Sequence, residues 1–288
     1  MILPRSQANR VVRYVFVAAI VTLAVARSGA AQGRDSVDAR ARAVAHAPRE
    51  SLPNRREVVV LGSLAAVAVL VSPFDGRWTT QLQRAGPQHN RTLGRGADVF
   101  RTLGSPGSLL ITGSLFAIGR LTGYPGLTDA GLHAGEAVVI SGLSTFIFKG
   151  LVGRARPLTV GNGDAGVFRP GRGFGQGYSS MPSGHATLAL AAAASFSREL
   201  QASHPHAARV VTPLLYSAAA LVAASRLYNN KHWASDVVAG AAIGTVVGMR
   251  VVRYAHAVPS SRLNRWRLPV SMSVGGDGVM EVRAGWTF

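Results

Sequence analysis

Cysteine is absent from the 288 residues, which excludes disulfides, thiolate nucleophiles and thiolate metal centres and leaves the redox compartment open. Acids are scarce, 13 Asp and Glu against 31 Lys and Arg. Between residues 149 and 236 they are only Asp164, Glu199 and Asp236, too few and too scattered for a two-metal centre. Lysine occurs only at 149 and 231, so the formal charge of +18 is almost wholly arginine. On a soluble chain that charge would suggest nucleic acid. No nucleic-acid motif accompanies it, and the arginines flank apolar runs, a placement that suits anionic lipid headgroups.

What is present is apolar. Hydrophobic residues make up 48% of the chain and charged residues 15%, and the mean hydropathy of +0.21 favours a membrane class. Six stretches stand out: Val58 to Val71, Leu109 to Leu121, Leu127 to Phe148, Ala186 to Phe196, Val210 to Ala224 and Val237 to Val252. Extended by their polar ends, several reach the ~20 residues of a membrane span. Gly240 and Gly244 carry a small-x3-small spacing that lets helices approach closely in lipid. The expected fold is therefore all-α, a membrane-embedded bundle of about six helices, with a soluble Ala-rich bundle as the rival.

The flanks read differently. Arg5, Arg10 and Arg13 precede an apolar stretch and the small residues Ser28 to Ala31, the layout of a signal peptide or signal anchor over residues 1–31. Residues 32–56 read as a mobile polar segment, 57–256 as the helical domain and 257–288 as a tail. Gly275, Gly276, Asp277 and Gly278 break an alternating pattern there, which predicts a short β-hairpin. Residues 73–107 read as short amphipathic helices serving as a packed connector, or as a lid over the site.

Three polar clusters interrupt the apolar sequence, and they carry the chemistry. Lys149-x6-Arg156-Pro157 closes the third stretch, Met181-Pro182-Ser183-Gly184-His185 opens the fourth, and Ser225-Arg226-x5-His232-x3-Asp236 bridges the fifth and sixth. Three cations, two imidazoles and a carboxylate suit an anionic tetrahedral group such as phosphate. A continuing helix would turn Lys149 and Arg156 the same way, with Pro157 stopping it. Ser183 is a cap candidate for the helix beyond, whose free N–H groups, including that of Gly184, form an anion site. His232 and Asp236, four residues apart, would share a helix face, the carboxylate holding one ring nitrogen protonated and leaving the other free. His133 and Glu136 lie too far from Lys149 to join this group and read as making a structural pairing near the opposite interface, with Arg120 as the candidate partner.

These clusters resemble the three signature motifs of the type 2 phosphatidic acid phosphatase (PAP2) superfamily, which includes bacterial acid phosphatases and vanadium haloperoxidases. The resemblance covers about 120 residues, with each motif complete and in order. It implies a metal-independent phosphatase acting on a phosphomonoester or pyrophosphate, most naturally of a lipid, with no cofactor. His232 would be the nucleophile, Asp236 its orienting partner and His185 the general acid and base. Lys149, Arg156, Ser183, Gly184 and Arg226 would bind the phosphate. The alternatives within the family are a vanadate-dependent oxidoreductase and a soluble periplasmic acid phosphatase. All motifs fall on one side of the membrane by the order of the stretches. The positive-inside rule applied to Arg120, Arg198, Arg209 and the tail arginines makes that side the outer, periplasmic face of an inner membrane.

Overall fold

The computed structural model describes residues 53–257, apart from 162 and 176, and two strands at 270–274 and 280–284. The expected leader at 1–31, most of the polar segment at 32–56 and the hairpin turn lie outside the described residues. Helix α1 (Arg55–Val71) starts at Asn54, whose side chain accepts from the Glu57 N–H while Glu57 reaches back to the Asn54 N–H. After a 3₁₀ turn at Ser72–Phe74 come three shorter helices: α2 (Asp75–Leu82), α3 (Ala85–His89) and α4 (Arg91–Thr102). A π-turn at Leu103–Gly107 leads into α5 (Ser108–Thr122) and then α6 (Pro125–Val152). A short α7 (Pro157–Val160) and a long loop precede α8 (Gly184–Ser203), α9 (Pro205–Tyr228) and α10 (Ala234–Ala257).

Six of these helices have 15 or more residues, matching the bundle the apolar stretches predict. Strands β1 (Val270–Val274) and β2 (Met280–Ala284) pair antiparallel, with Val270 opposite Ala284.

Helix α8 is the axis of the bundle, packed against α6, α9 and α10. Ala186, Ala191 and Ala194 on it are fully buried. Among the described residues, five helical segments are long and apolar enough to cross a membrane: 55–82, 91–122, 125–152, 205–228 and 234–257. The fourth sequence stretch is missing from that set, because α8 owes its place to small residues surrounded by protein rather than to hydropathy. The outer helices turn large apolar side chains outward, among them Leu70, Leu143, Phe146, Ile147 and Leu214, the surface expected where lipid is the solvent.

The seam between α8 and α10 is made by Gly240, Gly244 and Gly248. A Cβ at these positions would run into the carbonyl oxygens of Ser183, Thr187 and Ala191 respectively. The sequence spacing thus extends one turn beyond Gly244, and backbone contact fixes α10 against the start of α8. Gly244→Ala should lower stability by about 3 kcal/mol through overpacking, read as a drop in the melting temperature of the detergent-solubilised protein. Gly62→Ala on α1, where nothing lies within 4 Å of the added carbon, should leave it unchanged.

Candidate active site

The three polar clusters meet at one end of the bundle, where α6 and α9 finish and α8 and α10 begin. Lys149 lies in the last turn of α6. That helix stops at Val152, and Gly153 caps it with a left-handed φ of 59°, its N–H bonding the Lys149 carbonyl. Lys149 and Arg156 therefore do not share a helix. Pro157 does not end one either, since it begins α7. They converge through the loop instead: Lys149 Nζ donates to the Ser179 carbonyl, and Arg156 Nη2 to the Ser179 hydroxyl at 3.0 Å.

Ser183 stands at the N-cap of α8 and is fully buried, yet its hydroxyl makes no cap bond and has no hydrogen-bond partner. Its N–H is spent on the Asp236 carbonyl at 2.9 Å. Gly184 follows with the side chain of Lys149 alongside, so that an added Cβ would lie 4.0 Å from Lys149 Cε. His185 is half-buried on the first turn of α8, its ring close beside Gly104 of the π-turn. Arg226, in the last turn of α9, is buried with Nε and Nη1 both unpaired.

Helix α9 yields to α10 through a tight turn in which Asn230 takes a φ of 54°, a left-handed conformation that Asn tolerates better than most residues. His232 sits in this turn, ahead of α10, so it and Asp236 do not occupy successive turns of one helix. Its Nδ1 lies 4.0 Å from Asp236 Oδ2 and instead bonds the Ser180 carbonyl at 2.7 Å. Because a carbonyl only accepts, the hydrogen is on Nδ1 and the lone pair on Nε2. Burial, followed by the positive field of Lys149, Arg156 and Arg226, holds the His232 imidazole well below the usual histidine range. The ring is therefore neutral at ordinary pH.

Asp236 acts on this ring through Ser180. Its carboxylate accepts from the Ser180 hydroxyl at 2.5 Å, the Trp233 N–H at 2.9 Å and Arg154 Nη1 at 2.7 Å. Arg154 and Ser180 are the residues that sequence reasoning missed, together with Asp75. The Arg154 guanidinium is 3% exposed. It bonds Asp236 and Ser235 through Nη1, and Asp75 at 2.8 Å through Nη2. Asp75 also accepts from the Ser235 N–H and hydroxyl, which binds α2 to the start of α10. The segment from residue 73 is thus pinned at its first helix as a packed part of the site. Trp233 closes the arrangement, fully buried, its indole donating to the Ala155 carbonyl at 2.8 Å.

Removing Arg154 strands two buried carboxylates. Arg154→Ala should cost about 3–5 kcal/mol, seen as a large fall in melting temperature. Arg154→Lys should recover only part of it, because one ammonium cannot copy the fork that spans Asp75 and Asp236.

The PAP2 superfamily profile matches residues 130–259. The chain is 34% identical over 114 residues to lipid A 1-phosphatase of Porphyromonas gingivalis, a match that covers 40% of this chain and 23% of that protein. The chain thus spans less than a quarter of that relative's length. The crystal structure of a transmembrane PAP2 type phosphatidylglycerolphosphate phosphatase from Bacillus subtilis superimposes with a TM-score of 0.50 at 21% identity. That alignment covers 68% of this chain and 92% of the other. Over residues 130–259 the chain belongs to the PAP2 superfamily, and it is a membrane protein built on the helical bundle of that family.

Proposed function

We propose that the chain is a phosphatase that removes a phosphate from a lipid phosphomonoester or pyrophosphate by way of a phosphohistidine at His232. The observation that carries this reading is a set of buried donors with no partner in the protein: Arg226 Nε and Nη1, Arg156 Nε and the Ser183 hydroxyl. Buried donors are normally satisfied. Left open beside a neutral imidazole, they fit the equatorial oxygens of a phosphoryl group, whose charge grows more exposed in the transition state.

The step follows from the tautomer. Nε2 of His232 attacks phosphorus, the bond from phosphorus to the leaving oxygen breaks, and His185 gives that oxygen a proton. Ser180, held by Asp236, accepts from Nδ1 and supports the positive charge that forms on the ring. Water then attacks phosphorus as His185 takes its proton, the P–N bond breaks, and phosphate leaves. Lys149, Arg156, Ser183, the Gly184 N–H and Arg226 hold the phosphate oxygens through both steps.

The lipid class has separate support. An apolar groove of about 720 Å³ runs between α1, α6 and α10, lined by Leu61, Val69, Phe148, Ala239 and Ile243, with Arg154 and Ser235 at its polar end. Its size and lining suit acyl chains. Both relatives are lipid phosphatases by name. Five apolar crossing segments disfavour the soluble acid phosphatase, and no observation favours a vanadate oxidoreductase.

The proposed orientation sets the site on the periplasmic face of the inner membrane, with Arg120, Arg198, Arg209, Arg250 and Arg253 at the cytoplasmic end. Glu57 of α1 pairs with Arg250 and Arg253, so residue 55 shares that cytoplasmic end. A leader cleaved near Ala30 or Ala31, or an anchor that crosses once with Arg5, Arg10 and Arg13 inside, would start the following chain on the other side, so this orientation requires an N-terminal stretch that does not cross.

His232→Ala should abolish phosphate release from a panel of purified lipid phosphates in detergent while the protein still folds, as judged by a cooperative melting transition. Wild-type activity in that variant rejects the mechanism. Arg226→Ala should lower kcat by about 10²–10³-fold, the usual effect of deleting a donor to transition-state charge. The pH profile gives an independent check. The nucleophile must be neutral, and its pKa is depressed, so it stays active as pH falls through the ordinary histidine value of ~6.5. The acid-side loss of kcat/KM, corrected for the substrate's own ionisation, should therefore appear below that value.

A further inference from the structure

At the opposite end of the bundle, three helices bring a second polar cluster together. His133 of α6, Glu199 of α8 and His256 of α10 lie 16, 14 and 20 residues from Lys149, His185 and Asp236 on the same helices, roughly 20–30 Å away. His133 Nδ1 lies 2.5 Å from Glu199 Oε1, and His256 Nε2 lies 3.0 Å and 3.1 Å from the two carboxylate oxygens. The ligand-type atoms of all three residues fall within 4.8 Å of one another. None takes part in the phosphate chemistry.

We propose that His133, Glu199 and His256 form a divalent transition-metal site of the zinc class that clamps α6, α8 and α10 together at the end of the bundle remote from the phosphate site. Two imidazoles and one carboxylate are a donor set that zinc accepts, with water in the fourth position. Bond lengths of about 2.0–2.1 Å put tetrahedral ligand atoms roughly 3.3 Å apart. The hydrogen-bonded cluster thus needs movements of under about an ångström to admit the ion. The metal takes the place of the protons on Nδ1 of His133 and Nε2 of His256, which pass to the other ring nitrogen or to solvent.

Charge balance points the same way. Glu199 has 11% side-chain exposure, and Glu136 sits one turn from His133 with Oε1 buried and unpaired. The Glu199 carboxylate beside imidazoles that are neutral when they ligate leaves negative charge in an apolar bundle, and a cation offsets it. Access is available, since the His256 side chain is 44% exposed while those of His133 and Glu199 are nearly enclosed.

The test uses the full chain, purified in detergent without a polyhistidine tag, stripped with chelator and titrated with zinc. Calorimetry and elemental analysis should give one zinc per chain, with a higher melting temperature once loaded. His256→Ala, at the exposed position, should fold and weaken zinc binding at least tenfold, while His89→Ala, an exposed histidine outside the cluster, should not. Absence of stoichiometric zinc in the wild type, or equal affinity in the His256→Ala variant, overturns the proposal. Neither readout depends on turnover, so the outcome is separate from that of the proposed phosphatase reaction.

Discussion

The architecture of the active end depends on one buried guanidinium. Placing Asp75 and Asp236, both with no exposed surface, in a bundle of Ala, Val and Gly is costly unless each meets a charged donor. Arg154 meets both at once. Through Asp236 it fixes Ser180, and the Ser180 carbonyl fixes the hydrogen of His232 on Nδ1. Through Asp75 it draws α2 over the start of α10. A single side chain thus links α2, the loop after α6 and the tautomer of the nucleophile candidate.

The bundle keeps its buried charged clusters at its two ends, and its middle is held by close backbone contact. Between the site and the His133–Glu199–His256 cluster, α8 and α10 touch through glycine and carbonyl groups with little side chain between them. Such a seam gives little from side-chain area and much from dispersion at short range, the balance expected where lipid removes the hydrophobic drive between helices. It also makes the register of α10 on α8 strict. One residue of slip would bring a branched side chain against the Thr187 carbonyl and move Asp236 off Ser180.

How much of this was legible beforehand differs by level. The helical class and the meeting of the three motifs could be read from apolar stretches and residue types, because both depend on composition and order along the chain. Local geometry was less accessible. The spacing of Lys149 and Arg156 fits two helical turns, but Gly153 ends the helix between them and the loop does the converging. The spacing of His232 and Asp236 fits one turn, yet the helix begins at Ala234 and a carbonyl takes the ring N–H. Ser183 looks like a helix cap, and its hydroxyl is left open. Arg154, Ser180 and Asp75 had no signal of their own: an arginine two residues before a motif arginine, a serine in a Gly-rich loop and an aspartate at a helix start are ordinary until tertiary contact brings them together. For the same reason, His133 was legible as structural, but its partners Glu199 and His256 were not.

The same accounting explains why the site holds open donors at all. Apart from Arg101, which pairs with Asp98, four cationic side chains, Lys149, Arg154, Arg156 and Arg226, face two carboxylates, Asp75 and Asp236, and Arg154 is already shared by both acids. These groups are therefore short of about two negative charges, which is the charge of a phosphate monoester above its second ionisation. A protein selected only for stability would fill that deficit with its own acids, and the chain is notably poor in them here. On the proposed reading, an incoming phosphate dianion supplies the charge that the protein's own acids do not. Binding energy is then concentrated on the phosphoryl oxygens rather than on the rest of the lipid. Interactions with those oxygens strengthen as charge develops during transfer, so the imbalance that costs the resting fold is what the proposed chemistry draws on.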